Sequence, residues 1–337
     1  MPRRAHLDAP GALHHVICRG IERQPVFRDD ADRDDFVARL GNILTSTRTS
    51  CYAWSLLPNH VHLLLRTGTV PLPTVMSRIL TGYAASYNRR HRRHGYLFQN
   101  RYKSILCQEE SYFLELVRYL HLNPLRAKLV DALPALDRYA YGGHSRLMGK
   151  AESPWQDTDA VLAQFGRRVA TARRRYWAFV AEGIPLGRRS ELTGGGLVRS
   201  AGGWRALTAQ RRTERVKGDE RILGDGEFVE SALRAAEEQR ERRDQLRARG
   251  VDLESLLRRV AARFALTPEE LRVPSKQPRR TQARSLVCYW AVRELGLPGT
   301  AVAAALGITQ SAVSRAVCRG ERYGVTTGVS FRELRIS

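Results

Sequence analysis

Two apolar runs separated by a short break are the feature that most constrains how this chain folds. The runs cover residues 51–57 and 61–66, and the break between them contains Pro58 and Asn59. Short apolar runs bounded by such turn-forming residues are typical of buried β-strands. The sequence therefore predicts two strands here, in a domain that is built around a sheet.

The segments around this pair alternate between the patterns of strands and helices. Residues 13–20 and 102–107 have the pattern of strands, whereas residues 28–44, 72–95 and 109–130 have apolar positions at helical spacing. The order as far as residue 107 is βαββαβ, a split βαβ arrangement in which helices cover one face of an antiparallel sheet. We therefore predict an α+β fold of the ferredoxin-like type, with the second apolar run as a central strand.

Two histidines, His60 and His62, flank a single valine at the start of this central strand. Because successive side chains of a strand point to opposite faces, both imidazoles project from the same face. Two neutral imidazoles placed in this way can share one metal ion. Alternatively, one or both are hydrogen-bonded histidines of the core. The pair by itself leaves both interpretations open.

The helix predicted over residues 109–130 carries a tyrosine and an asparagine four residues apart, Tyr119 and Asn123. Residues at that spacing share one helix face, so the hydroxyl and the amide can point the same way. Pro124 follows directly and predicts that the helix ends or kinks at this point. The alternative is that Tyr119 packs as an ordinary aromatic residue and Asn123 caps the helix.

The charge of the chain indicates its partner. Among 337 residues, 56 lysines and arginines against 34 aspartates and glutamates give a formal net charge of +22. This positive charge can neutralise phosphates, so nucleic acid is the expected partner. The alternatives are that the charge serves solubility or that it binds an anionic membrane surface. No uninterrupted apolar run reaches about 18 residues and no signal-peptide pattern is visible, so we expect a cytoplasmic protein without membrane contact.

Basic residues of the first part of the chain are candidates for DNA contacts. Arg89 and Arg90 belong to a cluster at the end of the helix predicted over residues 72–95. Arg101 lies among aromatic residues that could stack on unpaired bases, and Arg19 lies in the first predicted strand, residues 13–20. A solvated helix end that complements the helix dipole would explain part of the same pattern.

Three segments in this order carry a resemblance to a known family: NHVHLLL, GYLFQNRYKSIL and RYLHLNPLRAKLV. They resemble the HUH single-tyrosine transposases, specifically the REP-associated tyrosine transposases, over roughly residues 2–150. The resemblance implies an HUH catalytic domain at residues 1–150. It also implies that His60, His62 and Asn123 hold a divalent metal ion, Mg²⁺ or Mn²⁺, and that Tyr119 is the nucleophile.

The same resemblance implies an activity. Such an enzyme cleaves and rejoins single-stranded DNA at REP-like hairpins through a 5′-phosphotyrosine intermediate. Whether one chain or a homodimer completes the active site stays open. One alternative is a replication or mobilisation initiator with the same chemistry, although no helicase motif is visible. The other is a non-catalytic DNA-binding regulator derived from a transposase.

The rest of the chain is predicted to be helical. Residues 151–250 are assigned to a helical or linker region without a catalytic constellation. Residues 251–325 resemble the helix-turn-helix DNA-binding domain of the replication initiator DnaA. The second helix of that motif would present Gln310, Ser311, Ser314 and Arg315 to the major groove of double-stranded DNA. The alternative is a plain three-helix bundle that serves protein contacts.

Overall fold

The structure, a computed structural model, divides the chain into two compact units, Met1–Ala232 and Leu233–Ser337. The residues it describes are 7, 11–68, 70–99, 101–187, 189, 192, 219–273 and 275–331, without the side chains at positions 239 and 311. Residues 193–218, which belong to the predicted helical or linker region, therefore lie outside the described part. The predicted domain boundaries after residues 150 and 250 stay predictions.

The first unit contains a single described sheet of five strands. The strands are β1 (Leu13–Arg19), β2 (Ser50–Leu57), β3 (His60–Arg66), β4 (Lys103–Cys107) and β5 (Ile222–Leu223). They lie in the order β2-β3-β1-β4-β5, and the first four strands pair antiparallel. This confirms the α+β prediction and the central place of β3. Strand β5 pairs parallel with β4 and was not predicted, because two residues carry no detectable alternation.

Helices flank this sheet. They are α1 (Asp30–Thr47), α2 (Leu72–Arg90), α3 (Glu109–His121), α4 (Asn123–Arg126), α5 (Leu133–Leu136), α6 (His144–Leu147), α7 (Thr158–Leu162) and α8 (Val169–Glu182). Helix α1 begins where the Asp29 side chain accepts a hydrogen bond from the Asp32 backbone N–H. Helices α1 and α2 share an aromatic contact in which the rings of Phe36 and Tyr83 lie 5.1 Å apart.

Helix α3 ends close to the position that Pro124 predicts. Apolar spacing continues to about residue 130, but the helix ends at His121, and Pro124 lies in the first turn of the separate helix α4. A proline has no backbone N–H to donate, and its ring clashes with the carbonyl four residues earlier, so a helix breaks before it. Asn123 consequently begins α4 and does not share a continuous helix with Tyr119.

Helix α8, from the middle of the chain, packs in the same hydrophobic core as α3. Leu116 and Leu120 of α3 and Tyr176 and Val180 of α8 are all buried in this core, which also contains Leu64 of β3. Helix α3 therefore lies on the face of the sheet that carries Leu64. Part of the region predicted to be helical or linker is thus built into the first unit.

A chain of buried hydrogen bonds joins the end of α3 to α8. The Tyr176 hydroxyl bonds Nδ1 of His121 at 2.7 Å and Nδ1 of His144 at 2.8 Å, and Nε2 of His144 bonds Asp137 at 2.8 Å. Burial, followed by the influence of His144, keeps the pKa of His121 well below its usual value. His121 is therefore a neutral structural residue that helps to hold the end of α3.

The second unit is helical in the part that is described. Its helices are α9 (Gly226–Ala248, which begins in the first unit), α10 (Leu253–Arg263), α11 (Pro268–Arg272), α12 (Pro278–Arg293), α13 (Gly299–Leu306) and α14 (Gln310–Thr327). Helices α13 and α14 are joined through Gly307, whose φ of +62° suits glycine, and Thr309 caps α14. Trp290 is buried in the core of this unit. In neither unit is a described helix long and apolar enough to cross a membrane.

Candidate active site

The histidine pair lies on the sheet face that α3 covers. His60 and His62 begin β3, and their ring centroids are 5.0 Å apart. On the neighbouring strand β1, Arg19 is opposite His60 and Ile17 is opposite His62. Residues that are opposite each other in an antiparallel pair share a face, so these side chains and the histidines form one surface.

In both His60 and His62, the ring atom that forms a hydrogen bond is Nδ1. Nδ1 of His60 bonds Oδ1 of Asn59 at 2.6 Å, and Nδ1 of His62 bonds Nε2 of His15 at 2.9 Å. Among the described residues, neither His60 nor His62 has a hydrogen-bond partner at Nε2. Because the Asn59 oxygen can only accept, His60 carries its proton on Nδ1 and has its lone pair on Nε2.

His15 is a site residue that the sequence analysis missed. It lies on β1, it is buried, and its ring stacks on that of His62 with the centroids 5.2 Å apart. The available signal was the alternation of β1, because residues 15, 17 and 19 share the face that Arg19 occupies. Only the register of β1 against β3 brings His15 next to His62.

Both histidines of the pair are neutral at neutral pH. Burial lowers the pKa of His60 to about 4, and the nearby charge of Arg19 acts in the same direction. Burial also holds the pKa of His62 well below its usual value, with smaller contributions from His15, His60 and Arg19. A neutral imidazole offers a lone pair to a metal ion, whereas an imidazolium offers none. The pair is therefore in the protonation state that metal binding requires.

Tyr119 is brought against this surface by α3. Its ring centroid lies 6.2 Å from that of His15 and 6.3 Å from that of His62, edge-on in both contacts. The Arg126 guanidinium lies 5.0 Å from the centroid of the same ring. The structure thus places the predicted nucleophile beside the predicted metal ligands within one chain.

Asn123 is placed differently from the expectation of a shared helix face. It is 7% exposed, and its Nδ2 atom has no hydrogen-bond partner. It makes no hydrogen bond to His60 or His62 in the described part of the structure. The Nδ2 group is a hydrogen-bond donor and cannot bind a cation, so Asn123 would hold a metal ion through its Oδ1 atom. Two neutral imidazole nitrogens and a buried amide together fit a divalent cation by their chemistry.

A second group of potential metal ligands is explained by contacts within the protein. One atom each from Asp29, Asp32 and His91 lies within 4.8 Å of the others. The fully buried Asp32 carboxylate is bonded by Arg90 at 2.5 Å, by His91 at 2.8 Å and by the Arg28 backbone N–H. Burial raises the pKa of Asp32, but these hydrogen bonds outweigh it and the net direction is downwards. The charge of Asp32 is therefore already compensated.

We expect Asp32→Ala to destabilise the protein by about 2 kcal/mol, because it removes a buried carboxylate that accepts hydrogen bonds from Arg90, His91 and the Arg28 backbone N–H. The measurement is the free energy of unfolding in urea. Asp30→Ala is the matched control, since the Asp30 side chain is 73% exposed and forms an ion pair with Arg33 across one helical turn. The control should lose less than about 1 kcal/mol. Equal losses in both variants would contradict the assignment of a structural ion pair.

The basic residues predicted to contact DNA fall into two groups. Arg19, Arg89 and Arg101 are exposed, with Arg19 at the edge of the histidine surface. Arg90 instead bonds Asp32, so its guanidinium is occupied by a carboxylate. The contacts of these four residues with DNA stay predictions.

In the second unit, the predicted DNA-contacting residues lie at the start of α14. Gln310 and Arg315 are exposed, and Ser314 is partly buried and donates a hydrogen bond to the Gln310 carbonyl at 3.2 Å. The side chain of Ser311 lies outside the described part of the structure. The helix-turn-helix assignment itself stays a prediction.

Comparisons with known proteins show what part of this chain is similar to. Residues 10–123, about a third of the chain, match the family model described as "Transposase IS200 like". One solved structure, described as a REP-associated tyrosine transposase bound to a REP hairpin, aligns with 46% of this chain and 91% of its own. The identity is 13% and the TM-score is 0.37. No curated protein matches the chain.

The family match agrees with the resemblance found in the sequence at a coarser level. Over residues 10–123 the chain is similar to IS200-like transposases, and this stretch contains His15, His60, His62, Tyr119 and Asn123. The roles predicted for these residues are not tested by the match. The resemblance of residues 251–325 to the DNA-binding domain of DnaA also stays a prediction.

Proposed function

We propose that this chain is a metal-dependent transposase that cleaves and rejoins single-stranded DNA at hairpin elements, with Tyr119 as the nucleophile. The observation that carries the proposal is the contact between the Tyr119 ring and His62, whose centroids lie 6.3 Å apart. The match of residues 10–123 to IS200-like transposases supports the same reaction class. Because Tyr119 and His62 meet within one chain, we propose that each active site is completed by a single chain.

The proposed cleavage replaces one phosphodiester bond with another. The Tyr119 oxygen attacks a backbone phosphorus atom, a bond forms between them, and the bond from phosphorus to the 3′ oxygen breaks. The tyrosine hydroxyl loses its proton and the departing 3′ oxygen gains one. A 5′-phosphotyrosine and a free 3′ hydroxyl result, so attack by another 3′ hydroxyl rejoins the strand without an external energy source.

His60, His62 and Asn123 are the proposed ligands of a divalent cation, Mg²⁺ or Mn²⁺. When bound, such a cation stabilises the charge that grows on the scissile phosphate and orients it. The low pKa of His60, about 4, keeps a lone pair available at neutral pH. Imidazole is a softer ligand than Mg²⁺ prefers, so we expect Mn²⁺ to support the reaction better in vitro.

DNA contacts are proposed for both units. Arg19, Arg89 and Arg101 are exposed in the first unit and would follow the backbone of a single strand. In the second unit, the residues at the start of α14 would bind double-stranded DNA as a helix-turn-helix does. We accordingly propose a catalytic domain within residues 1–150 and a duplex-binding domain within residues 251–325.

The experiment that tests this function looks for the covalent adduct. Single strands carrying palindromes that flank the gene are labelled at the 3′ end and incubated with the protein and Mn²⁺. We expect the label to migrate with the protein on a denaturing gel, and we expect EDTA to prevent this. Strands of the same composition without a palindrome are the control. Tight DNA binding without any adduct on any strand would favour the non-catalytic regulator.

A further inference from the structure

Among the residues that the structure describes, Arg126 has no carboxylate partner, and it lies beside the proposed nucleophile. Its guanidinium lies 5.0 Å from the centroid of the Tyr119 ring, and its Nη1 donates a hydrogen bond to the Tyr119 carbonyl at 3.3 Å. Its Nε is buried without a hydrogen-bond partner. Among the described residues, no carboxylate lies within ion-pair distance of it.

The surroundings of Arg126 destabilise its positive charge when no anion is bound. Burial lowers the pKa of Arg126, Tyr119 raises it, and the charges of Arg189 and Arg118 lower it further. The two other arginines already share a carboxylate, since Glu115 bonds both Arg118 and Arg189 at 2.7 Å. The Glu115 carboxylate thus pairs with two arginines. The positive charge of Arg126 has no paired carboxylate among the described residues. A partly buried, unpaired charge is destabilising unless an anion pairs with it.

We propose that the anion for Arg126 is the scissile phosphate of DNA, both before attack and as the phosphate of the Tyr119 adduct. Guanidinium groups bind phosphate oxygens through charge-assisted hydrogen bonds, and Arg126 has donors without a partner in the described part of the structure. Attack would bring the phosphate to the Tyr119 hydroxyl, on the ring whose centroid lies 5.0 Å from the guanidinium. This inference rests on the proposed function, to which it adds a catalytic residue.

A purely structural role for Arg126 would have different consequences. Its bond to the Tyr119 carbonyl spans the break between α3 and α4, so removing it could simply displace Tyr119. Such a displacement would impair attack on any phosphorus atom to the same degree, charged or neutral. A contact with the phosphate oxygen, in contrast, matters only when that oxygen carries charge.

The test therefore compares two DNA strands that differ at the scissile position only. One has the natural phosphodiester, and the other has a methylphosphonate, in which an uncharged methyl group replaces one non-bridging oxygen. We expect Arg126→Gln to slow adduct formation by about 10²–10³-fold on the phosphodiester. On the methylphosphonate, Arg126→Gln and wild type should react at nearly equal rates. Arg126→Lys should recover part of the loss on the phosphodiester, because it retains a charge.

Binding gives a second measurement that does not depend on chemistry. In the Tyr119→Phe protein, which keeps Arg126, the phosphodiester strand should bind about tenfold more tightly than the methylphosphonate strand. Adding Arg126→Gln should remove that difference. Arg33→Gln is the matched control, because Arg33 pairs with Asp30, and it should preserve the difference.

The outcomes separate this inference from the function on which it rests. Failure of the wild-type protein to form an adduct on the phosphodiester strand would refute the proposed function. An adduct with wild type, but an equal defect of Arg126→Gln on both strands and an unchanged binding difference, would overturn the role of Arg126 alone. Undiminished activity of Arg126→Gln on the phosphodiester would do the same.

Discussion

Tyr119→Phe is expected to abolish the covalent adduct and to leave DNA binding nearly unchanged. The substitution removes only the hydroxyl oxygen that would attack phosphorus, and loss of a nucleophile lowers the rate by at least about 10⁴-fold. The phenylalanine ring can keep the contacts with His15, His62 and Arg126 that the tyrosine ring makes. The DNA surface should therefore remain intact.

The measurement combines a denaturing gel for the adduct with a binding assay on the same labelled strand. Tyr112→Phe is the matched control, because Tyr112 is another partly buried tyrosine of α3. It should form the adduct at the wild-type rate. An adduct that persists in Tyr119→Phe would assign the nucleophile to another residue.

His62→Ala is expected to weaken the binding of Mn²⁺ by at least about 100-fold, since even residues that only orient a ligand change metal affinity by 10–100-fold. The buried position of His62 and the engagement of its Nδ1 by His15 leave Nε2 as the atom for the metal. Metal binding is measured on the protein without DNA, by calorimetry or by the spectrum of free Mn²⁺. Adduct formation should fall in parallel.

The control for this prediction is His94→Ala, because His94 is exposed and lies beyond the end of α2. Thermal unfolding of both variants without metal shows whether the loss of a buried ring has merely unfolded the site. Unchanged Mn²⁺ affinity in a folded His62→Ala protein would favour the alternative that His60 and His62 are hydrogen-bonded residues of the core.

Much of the fold follows from patterns within short stretches of sequence. Strand patterns in short stretches, including the apolar runs around Pro58 and Asn59, correctly predicted β1 to β4, and Pro124 correctly indicated that α3 stops near Asn123. The extent of α3 was less predictable, because apolar residues at helical spacing continue past the break. The pattern cannot tell one interrupted helix from one continuous helix.

The parts of the candidate site that depend on residues close in sequence were predictable, and the parts that depend on tertiary contacts were not. His60 and His62 share a face in any strand, so their proximity needs no tertiary information. His15 and Arg126 were not identified, because their roles depend on contacts that the fold creates. His15 contacts His62 on another strand, and Arg126 contacts the Tyr119 ring. Arg90 was identified as a candidate for DNA contact, but its ion pair with Asp32 was not predicted, because that pair depends on how α1 and α2 pack.

The sequence by itself determined the class of fold, the shared face of the histidine pair, the break before Pro124 and the positive charge that suits DNA. These follow from side-chain periodicity, backbone chemistry and composition, which act over a few residues or over the whole chain. Only the tertiary structure decided that Tyr119 faces His62, that α8 packs beside α3, and that Arg126 lies on the Tyr119 ring with no carboxylate partner among the described residues. Strand register and helix docking join residues far apart in the chain, and local patterns do not encode those distances.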